Sequence, residues 1–375
     1  LFLGYIGQRF EPHLLNIWFS VRGHLSSPAE IVIVAIDEQS YSKLGLSFLE
    51  PLPRLKFVKL LERLEGYGVK AVLFDSVFNS PGPDRGVDEL LAKKFSELPT
   101  YIGEYELDRS RSGAEPAERS AVRSLELFVN SARGTVNLNC PLDFGVWRRF
   151  PLVVENGAVV PALTKIVRET SGGGAELPGP RDFINFYGPA GVIQTIQFAE
   201  VLTTASEDAL SKQFKDKIVV VGTKILADVG FSRKDTFLTP ASNKSIFGVE
   251  VHATILANLL RSEWIRRLDV RVETTILNLI LLFVVASTFS ARPKSALAVI
   301  VVSIAAIATG SYLAFMGNIF FPGLMLMAIV LPLLLLFTIA RYYLSLRRTH
   351  QDMADAFGVA APANERMNRP TAPRS

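Results

Sequence analysis

Two hydrophobic patterns divide the chain. Ile31-Val32-Ile33-Val34-Ala35-Ile36 is an unbroken apolar run rich in β-branched residues, which predicts a strand buried on both faces. Pro53 suits a first helical turn, and in Arg54 to Gly66 the apolar residues Leu55, Val58, Leu61 and Leu64 recur at three-residue spacing. That predicts a helix with one buried stripe, ended by Gly66 and Gly68. Lys70-Ala71-Val72-Leu73-Phe74 is a second buried-type strand, so residues 31–75 read as one βαβ unit with a right-handed crossover. Lys217 to Gly222 repeats the strand pattern, and a helix from about Gly248 through Leu260 follows. Parallel strands with covering helices predict an α/β layered domain over residues 30–265.

Weaker elements lie between. A short strand near Tyr101 to Tyr105, an apolar stretch Thr135 to Leu138, and Pro151 to Val154 turning through Asn156-Gly157 into Ala158 to Val160 read as an antiparallel extension of a mainly parallel sheet. Polar, glycine-bearing stretches at Arg109 to Glu118 and Ser171 to Pro180 read as exposed loops. Tyr5 to Val21 predicts a helix within a linking segment, residues 1–29.

Beyond residue 265 the pattern changes. No Asp, Glu, Lys or Arg occurs between Lys294 and Arg341, a run roughly twice the ~20 residues that a helix needs to cross a bilayer. Met316-Gly317-Asn318 breaks it, predicting spans over 295–316 and 319–340 joined by a tight turn. A third uncharged segment, Thr274 to Ala291, predicts a span over 272–291. The plainer alternative is a surface helix, but its core is apolar on all sides. Residues 341–375 form a polar tail, largely disordered. Three spans put the N-terminal region and the tail on opposite sides. Arg292, Lys294, Arg341, Arg347 and Arg348 share one side against Arg261, Arg266, Arg267 and Arg271 on the other, which favours a cytoplasmic tail and residues 30–265 outside the cell membrane.

Composition agrees. Half the chain is hydrophobic, 49%, with mean hydropathy +0.28, too apolar for a purely soluble protein. The 40 basic and 36 acidic residues are too evenly balanced for a nucleic-acid binder. A single cysteine, Cys140, permits no internal disulfide.

Phosphate-loop, zinc-protease, serine-hydrolase and dinucleotide motifs are absent, and no cofactor is expected. Asp37 and Asp75 each end a strand, and ligands of open α/β sheets bind outside the carboxyl ends of strands. With Asp228 or Asp235 they form a candidate oxygen-ligand set for a divalent metal or a polar ligand. The plainer alternative is that Asp37 and Asp75 cap the turns that follow. Arg54 is a candidate anion-binding residue near the same rim, against a solvated first-turn arginine. His252 is a ligand candidate, against a half-buried, hydrogen-bonded histidine.

Several blocks resemble a known family. Ile33 to Asp37 with Ser40 and Gly45, Pro51-Leu52-Pro53-Arg54, Ala71 to Asp75 with Phe78, Asp143 to Arg149 with Pro151-Leu152, Ile184 to Pro189, Ile218 to Gly222, Asp235-Thr236 with Thr239-Pro240, and Gly248 to Ala253 are similar, in order and spacing, to the second type of CHASE domain. This is the cyclase- and histidine-kinase-associated sensory extracellular domain of bacteria. Leu52 stands where the family usually has Trp, Phe144 where an acidic residue is common, and Tyr187 where Arg is frequent. The resemblance implies a sensor preceded by one span and followed by three, feeding a cytoplasmic nucleotide cyclase or kinase, and working as a homodimer. Arg347 to Ser375 is too short for a catalytic domain, so the output is expected on a longer parent chain or a partner. The partners expected are therefore the bilayer, an extracytoplasmic ligand and a cytoplasmic output. The competing readings are a metal-dependent hydrolase built on Asp37, Asp75 and Asp235, and an envelope scaffold.

Overall fold

A computed structural model describes residues 2–47, 49–109, 118–143, 145–155, 158–171, 176–226 and 235–356, with backbone alone for 2–9, 106–109, 118–120, 243 and 354–356. It divides into two compact units: Leu15–Arg267 with Phe315–Phe320, and Leu1–Leu14, Leu268–Ala314 and Phe321–Ser375.

The chain opens with helix α1 (Phe2–Arg22), then strand β1 (Ile31–Ile36), α2 (Glu38–Lys43), α3 (Arg54–Gly66) and β2 (Ala71–Phe74). Next come α4 (Arg85–Glu97), β3 (Thr100–Arg109), β4 (Glu118–Val122), α5 (Glu126–Ser131) and β5 (Gly134–Asn137). Short strands β6 (Leu142–Asp143) and β7 (Val146–Trp147) precede the hairpin β8 (Leu152–Glu155) and β9 (Ala158–Pro161). Then follow α6 (Thr164–Ser171), β10 (Thr195–Gln197), α7 (Phe198–Thr203), α8 (Glu207–Phe214) and β11 (Ile218–Thr223). The domain closes with β12 (Thr236–Thr239), β13 (Ser242–Phe247), α9 (Gly248–Arg261) and β14 (Arg266–Arg267).

The main sheet runs β10-β1-β11-β2-β3-β4, with β5 also on β3. Every pairing is parallel except β3 with β4. One sequence expectation is corrected here. β11 inserts between β1 and β2, so these are not adjacent strands. The parallel sheet also continues through β3 to β5. The antiparallel pairings lie at β4, in a four-stranded sheet β13-β12-β7-β6, and in the separate β8–β9 hairpin, whose turn residues 156–157 lie outside the described residues. So do 110–117 of the first predicted loop and 172–175 of the second.

β1 and β2 are buried at every position and β11 at all but its last, as expected of strands covered on both faces. One layer holds α3, α4, α5 and α7, where Phe57, Phe74, Phe78, Phe95, Phe128 and Phe198 meet edge-on or tilted at 5.5–5.8 Å. Each such buried ring contributes roughly 1.5–3 kcal/mol. The other layer holds α6 and α9. In α3 the buried stripe is Phe57, Val58, Leu60, Leu61 and Leu64, whereas Leu55 is exposed. The helix turns by 100° per residue, so a strict three-residue spacing drifts off the stripe. Gly68 (φ +70°) makes the turn into β2. At Gly222 a Cβ would lie 2.7 Å from Val249 Cγ2, so glycine lets α9 cross β11 closely.

In the second unit three helices are long and apolar enough to cross a membrane: Val270–Phe289, Pro293–Met316 and Leu326–Met353. They are α10 (Val270–Phe289), α11 (Pro293–Met316), and a π-helical turn Leu326–Val330 continuing into α12 (Leu331–Ala356). Val284, Ile300 and Leu331 form part of their shared core, while Leu282, Phe283, Val302 and Phe337 point outward, the distribution that suits lipid. Glu11 of α1 accepts the N–H groups of Leu324 (3.2 Å) and Met325 (3.1 Å), partnering donors that a helix start leaves unsatisfied.

The third candidate span begins at Leu326, because Ile319–Phe320 form strand β15 and pair in parallel with β14. The segment between α11 and α12 is a built element rather than a bare turn, with Asn318 at φ +60°. Residues 341–356 continue the helix where a disordered tail was expected, and 357–375 lie outside the described residues.

Candidate functional site

β2 ends at Phe74, and the next residue, Asp75, enters a cleft of about 210 Å³ lined by Asp75, Ser76, Tyr105, Cys140, Trp147, Phe237, Asp235 and His252 among others. Four elements converge on it. Asp75 and Tyr105 come from β2 and β3, Trp147 and Phe237 from the small sheet, and His252 from α9. Asp235 lies just before β12 against the first residue of α9, where Gly248 N–H donates to its carbonyl at 3.0 Å. A Cβ at Gly248 would sit 2.3 Å from Asp235 Oδ2, so glycine there admits the carboxylate.

The cleft is acidic and its floor is buried. The His252 side chain is 3% exposed and that of Asp75 6%, with Nε2 and Oδ1 3.7 Å apart. Trp147 is fully buried and stands edge-on to both His252 (5.2 Å) and Phe237 (5.0 Å). Burial alone pushes the Asp75 carboxyl up to about 7. Burial, reinforced by the Asp75 charge, pushes Asp235 up to about 6. Burial drives His252 down to about 4, against the pull of Asp235 and the Leu138 backbone. Cys140 is pushed up to about 11 by burial and by both aspartates. At neutral pH the histidine is therefore neutral and offers the carboxylates no full counter-charge. Among the described residues His252 Nδ1 has no hydrogen-bond partner.

The five sequence candidates separate. Asp75, Asp235 and His252 come together. Asp37 does not join them: it caps α2, its Oδ1 accepting Ser40 N–H at 2.7 Å, and its Oδ2 accepts from Gln197 at 3.2 Å. With β11 between their strands, Asp37 and Asp75 end strands two spacings apart, roughly 9–10 Å. Arg54 bonds Asp88 Oδ1 at 2.5 Å and the Ser80 carbonyl, and lies over the Phe128 ring at 4.9 Å, partners of a structural role. Asp228 lies outside the described residues. Among the described residues no three His, Cys, Asp or Glu side chains are grouped as metal ligands would be. Sequence reasoning did not select Tyr105, Cys140, Trp147 or Phe237 for the site. Trp147 lies within one family-like block and Phe237 two residues past Asp235, but no local spacing marks them as a wall.

A second cluster lies in the same unit. Asn185 N–H donates to Asn258 Oδ1 at 2.7 Å and Asn258 Nδ2 to the Asn185 carbonyl at 3.0 Å. Asn185 Nδ2 donates to Asn318 Oδ1 at 3.2 Å, and Arg266 N–H to the Asn318 carbonyl at 2.8 Å. Arg22 donates to Asn185 Oδ1 (2.7 Å) and to the Phe186 carbonyl (2.5 Å), and lies over the Phe19 and Phe315 rings.

A family model described as the CHASE2 domain matches residues 1–289. No curated protein and no solved structure matches the chain.

Proposed function

The chain belongs to the CHASE2 family, and from that premise we propose that the Asp75–Asp235–His252 cleft is where it senses, with α9 relaying occupancy to the spans. CHASE2 is a sensory extracellular domain rather than a catalytic one, and with three apolar helices following it the chain fits a membrane-bound, signal-sensing receptor module. The finer reading is a bacterial inner-membrane receptor with its C-terminus in the cytoplasm. There a nucleotide cyclase or kinase, working as a homodimer, takes the signal.

One observation carries the relay. α9 bears His252 in the cleft and, six residues on, Asn258 in the asparagine cluster. Asn258 reaches Asn185 and Asn185 reaches Asn318, in the segment that covalently joins the second and third candidate spans. About 9 Å of helix separates the two positions, so a ligand that favours one setting of α9 also biases the segment 315–320. Such a ligand must bind the two settings unequally.

Cys140, the single cysteine, makes this testable. Coupling a small thiol reagent to it in the full chain fills the cleft, and amide hydrogen exchange across 315–320 is then measured. Changed exchange supports the relay; exchange identical to that of the unmodified protein ends it.

A further inference from the structure

Three aspects of the cleft specify the chemistry of its occupant. The first is charge. The lining residues include two aspartates and no lysine or arginine. Among the described residues neither carboxylate accepts a hydrogen bond, and their one ion-pairing neighbour is His252, held neutral by burial. Buried carboxylates without a partner are costly, and here the cost falls on two groups facing one cavity.

The second is the unpartnered nitrogen. His252 is 97% buried by the complement of its 3% exposure, and its Nδ1 lacks a partner among the described residues. A neutral imidazole keeps one ring nitrogen as an acceptor. The cleft therefore presents acceptors: two carboxylates and an imidazole nitrogen. The third is the wall. Trp147, Phe237 and Tyr105 line the same cavity, and aromatic faces attract organic cations.

We infer that the cleft binds a small organic cation, an alkylammonium or guanidinium group, which ion-pairs with Asp75 and Asp235, hydrogen-bonds to the His252 imidazole and packs against the Trp147, Phe237 and Tyr105 rings. A cavity of about 210 Å³ lies below the roughly 300–1,000 Å³ of sites for drug-sized ligands, so the ligand has few heavy atoms. An anion would face two acids and no cation. A divalent metal would want a third ligand group that the described residues do not supply. This deepens the sensing reading and rests on it.

Cys140 reports the preference. In the full chain in detergent, its modification by the cationic aminoethyl methanethiosulfonate is compared with that by the anionic sulfonatoethyl reagent, each rate divided by its rate with free cysteine. The expected normalised ratio is at least about tenfold in favour of the cation, on the scale of one desolvated charge interaction. It collapses toward one in Asp75→Asn/Asp235→Asn. Propylammonium chloride slows modification by neutral iodoacetamide, whereas sodium propionate at equal ionic strength does not. A wild-type ratio near or below one, a ratio untouched by the double variant, or protection by propionate overturns the inference. The wild-type ratio is informative whether or not the variant folds. Failure here is separable from failure of the relay: a cleft without cation preference whose filling still alters exchange at 315–320 refutes the cation alone.

Discussion

Asn185 and Asn258 hold each other by two reciprocal hydrogen bonds, backbone N–H to side-chain oxygen at 2.7 Å and side-chain nitrogen to backbone carbonyl at 3.0 Å, with Asn258 fully buried. An asparagine amide satisfies both main-chain groups of one residue, as a neighbouring strand would. Replacing it with leucine of similar volume leaves the Asn185 N–H and C=O buried and unpaired, at about 1–3 kcal/mol each. Asn258→Leu should lower stability by roughly 2–5 kcal/mol in denaturant titration, and should speed amide exchange at Asn318 more than at the β1–β11 core. Uniform acceleration across the domain would show that Asn258 has no special link to the 315–320 segment.

The Arg54–Asp88 pair is a stability element. Asp88 is 4% exposed and accepts from both Arg54 and Gly82 N–H. Arg54→Met strands that carboxylate, and the expected loss is about 3–5 kcal/mol, as for breaking one side of a buried pair. Propylammonium protection of Cys140 should survive in whatever fraction remains folded. Unchanged stability with lost protection would make Arg54 a ligand residue instead.

What could be read from the chain was local. Ile31 to Ile36, Ala71 to Phe74 and Ile218 to Gly222 declared themselves because a strand covered on both faces needs no polar position. Asp37 was legible as a cap because a cap bonds only three residues away. Strand order was not, since inserting β11 between β1 and β2 joins residues about 150 to 190 apart through pairing that no local pattern encodes. That insertion undid the proposed Asp37–Asp75 neighbourhood. The same non-locality hid the cleft wall, where Trp147 meets His252 across the fold. Charge-free length located the second span, but it could not show that Ile319 and Phe320 are taken up by pairing with Arg266 and Arg267.

The proposed orientation rests on the candidate spans and on charge. β14 in the sensor domain pairs with β15, between α11 and α12, so three crossings would leave the end of α12 on the face opposite the domain. In a Cys140→Ser background, Glu62→Cys on α3 and Arg348→Cys on α12, both at exposed positions, should react with a membrane-impermeant maleimide from opposite sides of intact cells. Glu62→Cys labels from outside, and Arg348→Cys only after the membrane is opened. Labelling of both from one side would rule out three crossings.

The cleft should also leave a pH signature in stability. The Asp75 carboxyl is raised from its ordinary 3.8 to about 7 by burial, so the folded protein holds the proton more tightly than the unfolded chain does. Its favourable contribution is full below about pH 4, fades as pH rises, and is gone above about 7. His252, lowered from 6.5 to about 4, works in the opposite sense: its contribution is present above about 6.5 and lost as pH falls through 4. The wild-type profile therefore superposes opposing slopes, with Asp235, raised to about 6, following Asp75, and Cys140 and Tyr105 also facing the cleft. Subtraction reports Asp75 together with the push its charge gives Asp235, because asparagine keeps the shape and never ionises. Asp75→Asn should match wild type near about pH 3 and exceed it at pH 7.5 by several degrees in Tm, at roughly 2–4 °C per kcal/mol for a domain of this size. The midpoint of that difference curve lies between the two ionisations, and propylammonium should reduce the gap at pH 7.5 by stabilising wild type alone. A difference that is the same at both pH values would mean that Asp75 is charged and satisfied in the folded state.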